Sequence, residues 1–257
     1  MSMRTPEFSV RLADTEAEIR AAQALRYQVF VEELGGGGAL VDHATGLEKD
    51  RFDPYFDHLL LYDRARDTAP VVGVYRVLRD DQAAAIGQFY SDEEYDLAPL
   101  RASGRRLMEL GRSCLHPDYR GGAAMFHLWQ ALADYVERHG IEVLFGVASF
   151  HGTDAAALAQ PLSSLYHNHL APEELRVRAR PAQYQRMDLL PRDRIDRKQA
   201  MLQTPALIKA YLRLGGTVGE GAWIDHEFNT TDVCLVMDTA RMNSRQRQLY
   251  AGSGARR

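Results

Sequence analysis

Glu109 and Arg112 lie in a segment, Arg105 to Leu115, whose other residues suit a strand. Burying a carboxylate without a partner is costly, and the usual escapes are pairing or a raised pKa. A carboxyl with a raised pKa is what a general base needs to take a proton from an ammonium substrate. A structural pair with an arginine or histidine is the alternative. Side chains alternate along a strand, so Glu109 shares a face with Gly111 and Arg112 with Leu110 unless a bulge intervenes.

Just beyond them, Leu115-His116-Pro117-Asp118-Tyr119-Arg120-Gly121-Gly122 reads as a strand end, a proline turn, two glycines and the start of a helix. Backbone N–H groups at such a turn point into one concavity, and the helix dipole favours an anion there, so a phosphate can sit without any side chain. A tight turn whose glycines are only conformational is the other reading. A third group, Glu48, Asp50, Asp53 and Asp57, is acidic and lies within ten residues. Like charges that close either face water or surround a cation. Their aromatic neighbours Phe52, Tyr55 and Phe56 argue against a purely solvated loop.

The elements that must position these groups follow from periodicity. Phe8 to Leu12 alternates as a strand, and Asp14 or Thr15 can cap a helix carrying Ile19, Ala22, Leu25, Val29 and Phe30 at helical spacing until Gly35. Four consecutive glycines, 35–38, open a loop expected to be mobile, 35–54. His58 to Tyr62 and Val71 to Leu78 form a hairpin. An acidic stretch, Ser91 to Leu100, reads as helical. The strand Arg105 to Leu115 must end at Pro117, a helix runs from about Ala123 to His139, and Glu142 to Phe150 is a buried strand. Further on, a helix is expected from Asp154 to Tyr166, strands at Leu175 to Arg180 and Tyr184 to Asp188, a helix ending at Gly215, and a strand from Asp232 to Asp238. The polar end from 240 to 257 should fray.

Composition bounds the function. With 46% hydrophobic and 26% charged residues, the 257-residue chain reads as an ordinary globular protein. Two cysteines, Cys114 and Cys234, make no disulfide framework, and no secretory signal opens the chain, so a reducing cytoplasm is the expected compartment. No apolar run approaches the ~20 residues that span a bilayer. A net charge of −4 argues against general nucleic-acid affinity. Cys114 reads as a buried structural cysteine, an isolated pair such as His167 and His169 is thin evidence for a metal, and Gly-x-Ser-x-Gly is absent. No metal is expected.

The glycine turn and its flanks resemble motif A of the Gcn5-related N-acyltransferase fold, in which a strand, a glycine turn and a helix hold the pantetheine arm and phosphate of an acyl thioester. Here the turn is Arg120-Gly121-Gly122-Ala123-Ala124, a departure from the usual Arg/Gln-x-x-Gly-x-Gly/Ala. Arg26, Phe30, Asp50, Asp53, Arg76, Glu109 and Arg112 stand in the order found in acyl-homoserine-lactone synthases. Four later blocks carry a closer likeness: Phe150-His151-Gly152-Thr153-Asp154, Tyr166-His167-Asn168-His169-Leu170-Ala171-Pro172, Leu207 to Gly216, and Phe228-Asn229-Thr230-Thr231-Asp232-Val233. Together they resemble the ornithine-acyl-carrier-protein N-acyltransferases, which make lyso-ornithine lipid.

That resemblance implies an α+β fold with a central mixed, twisted sheet flanked by helices, in a single N-acyltransferase domain with an ordered core of about 8–239. It implies transfer of a 3-hydroxyacyl chain from the 4'-phosphopantetheine of acyl carrier protein to the α-amine of L-ornithine, with no permanently bound cofactor. Glu109 would be the base and Tyr166 the proton donor to the leaving thiol. Asp50 and Asp53 would meet the amino groups of ornithine, Arg112 or Arg76 its carboxylate, with Arg26 and Phe30 nearby. Leu115, Arg120, Gly121, Gly122 and Ala123 would hold the phosphopantetheine. From Arg176 to Lys198 there are eight basic residues and three acidic ones, so Arg178, Arg180 and Arg186 would dock the acidic carrier or touch anionic lipid at the inner membrane. A homoserine-lactone-type synthase, an acyltransferase for glutamine or lysine, and a haemolysin-like membrane-surface binding protein are the competing readings.

Overall fold

Thr15 begins the first helix. Its hydroxyl accepts from the Glu18 N–H at 3.3 Å while the Glu18 carboxylate accepts from the Thr15 N–H at 3.2 Å, a reciprocal cap that satisfies two otherwise orphaned donors. The helix Glu16–Arg26 buries Ala22 and Leu25, and Val29 continues the same face, against Leu60, Val74 and Cys114, with Phe30 packed at the edge of that cluster. From Tyr27 to Glu33 the winding widens to a π-helix, which ends at Leu34 and Gly35, the latter at φ 75°. The computed structural model describes residues 5–68 and 70–242. Most of the expected fraying tail, beyond residue 242, lies outside the described residues.

Two compact units make up the chain. In the first, within residues 5–86 and 110–140, the strand Phe8–Leu12 pairs antiparallel with Asp57–Asp63, which pairs antiparallel with Val71–Arg79. Next to that strand lies the C-terminal part of Leu107–Leu115. Its end is tied back by the His116 N–H donating to the Val72 carbonyl at 2.9 Å. The helix Ala124–His139 buries Leu128 and Leu132 completely, each burial contributing about 1.5–3 kcal/mol, and Gly140 closes it in the left-handed region at φ 60°. Between the glycines and the hairpin, Val41–Asp42 and Leu47–Glu48 form a small ladder. The second half of this segment packs inside: Leu47, Glu48, Phe52 and Asp53 are all buried, which a solvated loop would not be.

In the second unit, within 87–109 and 141–242, Leu107–Glu109 runs parallel to Val143–Phe145. The strand Val143–His151 pairs antiparallel along its whole length with Thr230–Asp238, followed by Ala222–Asp225 and Tyr184–Gln185, while Thr217–Val218 also pairs with Thr230–Asp238. The sheet is therefore mixed, as the α+β expectation requires. Several boundaries moved for identifiable reasons. The helix expected from Asp154 begins at Ala159, because Pro161 is tolerated only in a first turn. The strand expected at Leu175 to Arg180 shrinks to Arg178–Ala179, preceded by a 3-10 turn over Glu173–Leu175, and the one at Tyr184 to Asp188 shrinks to Tyr184–Gln185. The acidic stretch is a 3-10 turn, Tyr90–Glu93, a short strand, Tyr95–Asp96, and a helix, Ala98–Ala102. Buried Tyr95 interrupts the helix there, since its hydroxyl lies 3.1 Å from the Gly221 carbonyl and 2.9 Å from that of Asp232 and the backbone must deliver it.

Gly73 shows how tightly strand and helix meet. A Cβ there would lie 2.7 Å from the Leu115 side chain, 3.1 Å from that of Leu128 and 3.2 Å from Leu61. Gly73→Ala is expected to lower stability by about 1–3 kcal/mol, read as an earlier urea midpoint with unchanged slope.

Candidate active site

Three of the four acidic residues, Glu48, Asp50 and Asp53, do surround cations, and these are the chain's own arginines, whereas Asp57 pairs with Arg79 at 2.7 Å. Arg26 reaches from the first helix to Glu48 through Nε and to Asp53 through Nη1 at 2.6 Å and Nη2 at 3.3 Å. Arg76, on the strand Val71–Arg79, places Nη1 at 2.8 Å from both oxygens of Asp50 and 2.7 Å from Asp53 Oδ1. Arg112 donates from Nε to Glu48 Oε1 at 3.1 Å, and its Nη2 is 3.8 Å from Asp50 Oδ2. Gln23 adds a bond to Asp53 at 2.9 Å. Three guanidiniums thus face three carboxylates, and the charges balance.

Nearly all of this is closed to solvent: Arg26 and Glu48 are 0% exposed, Arg76 1% and Asp53 2%. Burial by itself would raise the Asp53 pKa, but the adjacent charges of Arg26 and Arg76 outweigh it and hold the carboxyl well below its usual range. For Glu48 burial is likewise overcome, by Arg112 and Arg26. Burial keeps the His58 pKa below its ordinary value; with Nε2 3.0 Å from the Asp53 carbonyl, the ring is a neutral donor that braces the loop. Two of the three neighbouring aromatic residues have a task here, because the Arg76 guanidinium lies 4.1 Å from the Phe56 ring centroid and Phe52 stands edge-on to Phe56, while Tyr55 is exposed. Arg26, Asp53 and Arg76 are therefore engaged with one another, and Phe30 packs on the apolar cluster. Arg112 is the most accessible of the three arginines, its side chain 14% exposed.

Arg112 is also where the strand Leu107–Leu115 departs from regularity. Its φ of 50° is in the left-handed region, which only glycine enters freely, so the simple alternation expected from Glu109 to Arg112 is broken. A few residues on, the glycine turn is exposed, with Gly121 at φ 75° and open space around a notional Cβ at both Gly121 and Gly122. The following helix has Ala123 as its N-cap with no side-chain bond to its first N–H groups. Arg120 does not reach over the turn. It donates from Nε and Nη2 back to the Leu115 carbonyl at 3.2 and 3.1 Å, and pairs with Glu33 through two bonds of 2.5 and 2.6 Å.

In the second unit Glu109 is buried, and both of its oxygens are acceptors. Oε2 accepts from the Tyr90 N–H and Oε1 from the Ser91 N–H, each at 2.7 Å, and the Ser91 hydroxyl donates to Oε1 as well. The start of the 3-10 turn Tyr90–Glu93 thus supplies donors that compensate the buried carboxylate. Tyr166 is half-buried on the helix Ala159–His169, edge-on to His167 at 5.3 Å, and His167 Nε2 lies 3.0 Å from the Leu190 carbonyl. Arg178, Arg180 and Arg186 are exposed; Arg178 pairs with Glu220, Arg180 donates to the Asp92 carbonyl and Arg186 pairs with Asp188. Burial pushes the Cys114 thiol up to about 12, so it is not a thiolate nucleophile.

Three participants had escaped assignment in the sequence. The sequence marks Glu48 as acidic and offers no partner for it. Gln23 lies one turn before Arg26 on the same helix face, which was its only signal. Ser91 and the N–H groups of Tyr90 and Ser91 carry none, since nothing in the spacing ties residues 90 and 91 to 109. The buried carboxylates carry an acid-stability consequence. A carboxyl whose folded pKa is depressed stabilises the fold above its unfolded value of about 3.9 and loses that contribution as pH falls toward the folded value. Stability measured by urea unfolding should therefore decline below about pH 4. Asp53→Asn should cost about 3–5 kcal/mol at neutral pH, because it removes a carboxylate from two buried arginines, and should flatten that acid decline.

Comparison with known proteins gives this arrangement its relatives. The acetyltransferase (GNAT) domain family matches residues 25–130. Two solved structures share the fold at 14% identity: a CoA-dependent acyl-homoserine lactone synthase, with a TM-score of 0.54 over 95% of this chain and 88% of that one, and an N-acyl amino acid synthase from uncultured soil microbes, with a TM-score of 0.50 over 92% and 93%. The L-ornithine N(alpha)-acyltransferase of Rhodobacter capsulatus is 63% identical over 95% of this chain and 94% of its own. The enzyme of the same name from Brucella abortus is 44% identical over 98% of this chain and 92% of its own. At such identity along nearly the whole length, the chain belongs to the L-ornithine N(alpha)-acyltransferase family, with a GNAT-type α+β fold.

Proposed function

We propose that the protein transfers a 3-hydroxyacyl chain from the 4'-phosphopantetheine thioester of acyl carrier protein to the α-amine of L-ornithine, giving lyso-ornithine lipid. The observation that carries this reading is the 63% identity to the Rhodobacter capsulatus enzyme across 95% of the chain. The chemistry is an exchange of bonds at one carbon. A base takes a proton from the ornithine ammonium, and the freed amine attacks the thioester carbonyl. The C–N bond forms on attack, giving a tetrahedral oxyanion whose collapse breaks the C–S bond, and the nitrogen gives up its second proton as the thiolate takes one up. The thiol departs carrying a proton, and the product is an amide.

Glu109 is the residue proposed to take the ammonium proton, directly or through a water, and its fixed carboxylate gives a positioned acceptor. Tyr166 is proposed to return a proton to the thiol. Backbone N–H groups between Arg112 and Leu115 are proposed to meet the oxyanion. The uncapped helix start after Gly121, Gly122 and Ala123 supports a phosphate of the pantetheine arm, with Leu115 and Arg120 shaping the turn. For the amino acid, Arg112 is the accessible guanidinium and suits a carboxylate, while Asp50, Asp53, Arg26 and Arg76 act through the balanced network that fixes it. The exposed Arg178, Arg180 and Arg186 support an acidic carrier as donor.

Glu109→Gln, checked for folding, should slow single-turnover acyl transfer by about 10²–10⁴-fold. Rates near those of the parent would remove Glu109 from the role. Arg178→Glu with Arg180→Glu should raise the apparent KM for acyl carrier protein by about tenfold or more at low ionic strength, with the difference shrinking in salt. An unchanged KM would point to another donor face, and equal rates with the acyl group on coenzyme A would remove carrier specificity.

A further inference from the structure

Met201 and Leu202, 57% and 67% exposed, are the two most exposed large hydrophobic side chains among the described residues, and they are adjacent. They lie on the short helix Arg197–Gln203. Arg197 is four residues before Met201 and Lys198 four before Leu202, so on a helix each cation shares a face with one of these apolar side chains. Ala200 and Thr204 occupy the opposite, buried side. The apolar pair is thus presented outward by a helix whose inner face is already packed.

The charge in this part of the chain is predominantly positive. Between Arg194 and Arg213 there are five basic side chains and one acidic, in a chain of net −4. The single acid, Asp196, is the helix N-cap and accepts from the N–H groups of Lys198 and Gln199 at 2.9 and 3.1 Å. Lys209, on the helix Ala206–Arg213, donates to the Met201 carbonyl at 3.2 Å and so holds another cation beside the apolar pair. Among the described residues no carboxylate pairs with Arg194, Arg197 or Lys198, in contrast to Arg178 and Arg186, which are paired with Glu220 and Asp188.

We propose that this face, carrying Arg194, Arg197, Lys198, Met201, Leu202 and Lys209, docks on the surface of an anionic bilayer. Protruding aliphatic side chains need a matching pocket to enter a protein, whereas the acyl boundary of a bilayer accepts them without one. The cations meet the headgroup phosphates at the same level, and long basic side chains can keep their charge there while their stems lie in apolar surroundings. An acylated amino acid is itself an amphiphile, so under the proposed function docking would bring the protein to the surface that receives its product. The docking argument stands on the surface alone, and its test does not depend on catalysis.

Flotation with vesicles of phosphatidylethanolamine and phosphatidylglycerol, against vesicles of phosphatidylcholine alone, tests it. The parent protein should float with the anionic vesicles, less so in high salt, and only weakly with phosphatidylcholine. Met201→Ser with Leu202→Ser should lower the partition coefficient about 10- to 100-fold while leaving the thermal melt and the rate on soluble substrates unchanged. Arg197→Glu with Lys198→Glu should also release the protein. The proposal is overturned if the parent does not float with anionic vesicles, or if the serine double variant floats as well as the parent. A rise in KM for acyl carrier protein in the serine variant with flotation unchanged would assign the face to a protein partner instead. Should ornithine acylation itself fail in assay, flotation still decides the docking question.

Discussion

Arginine 26 has no contact with water, and the first unit is organised around that fact. A buried guanidinium without acceptors would cost several kcal/mol, so Glu48 and Asp53 must come to it, and bringing them there folds the 47–53 segment inward. Asp53 then binds Arg76 on the hairpin, Asp50 binds Arg76, and Glu48 binds Arg112. One charge-balanced network thereby joins the first helix, the glycine-led segment, the hairpin and the strand Leu107–Leu115. Hydrophobic burial supplies the bulk of stability, while this network fixes which geometry is adopted.

Its farthest member carries the functional consequence. A non-glycine residue at φ 50° costs on the order of 1–3 kcal/mol and persists only where surrounding contacts over-determine it. At Arg112 those contacts are Glu48 and Asp50. Strain is thus held at the position proposed to meet the amino acid. On the Glu109 side the solution is different, since the carboxylate is met by two backbone N–H groups and a hydroxyl from the turn at Tyr90 and Ser91. Two buried carboxyl sites on one fold are stabilised by two means, fixed guanidiniums for one and oriented dipoles for the other.

Much of this was readable from residues whose physics is local. The Thr15 cap, the strand ending before Pro117, the 124–139 helix and the hairpin follow from spacing and turn chemistry. The acidic loop was legible as a dilemma, water or a cation, and its aromatic neighbours correctly weakened the solvated alternative. What resolved it was not local: Arg26, Arg76 and Arg112 are 22 to 64 residues from the carboxylates they bind. The strands at 178–179 and 184–185 lie where the sequence places strands but are shorter, and those at 217–218 and 222–225 have no sequence signal, because two to four residues carry too little periodicity to register. Ser91 had no signal at all. Net charge was the least informative figure, since it averages a balanced internal cluster with a basic surface.

The central claim, that the buried cluster acts as one coupled unit, is tested most directly by a double-mutant cycle on Arg26 and Asp53. Urea unfolding of Arg26→Met, Asp53→Asn and the double variant gives the coupling free energy. The account predicts a coupling of about 2 kcal/mol or more, with the double variant less destabilised than the sum of the two single changes. Additivity within about 0.5 kcal/mol would mean that the two side chains are merely neighbours, and would contradict it.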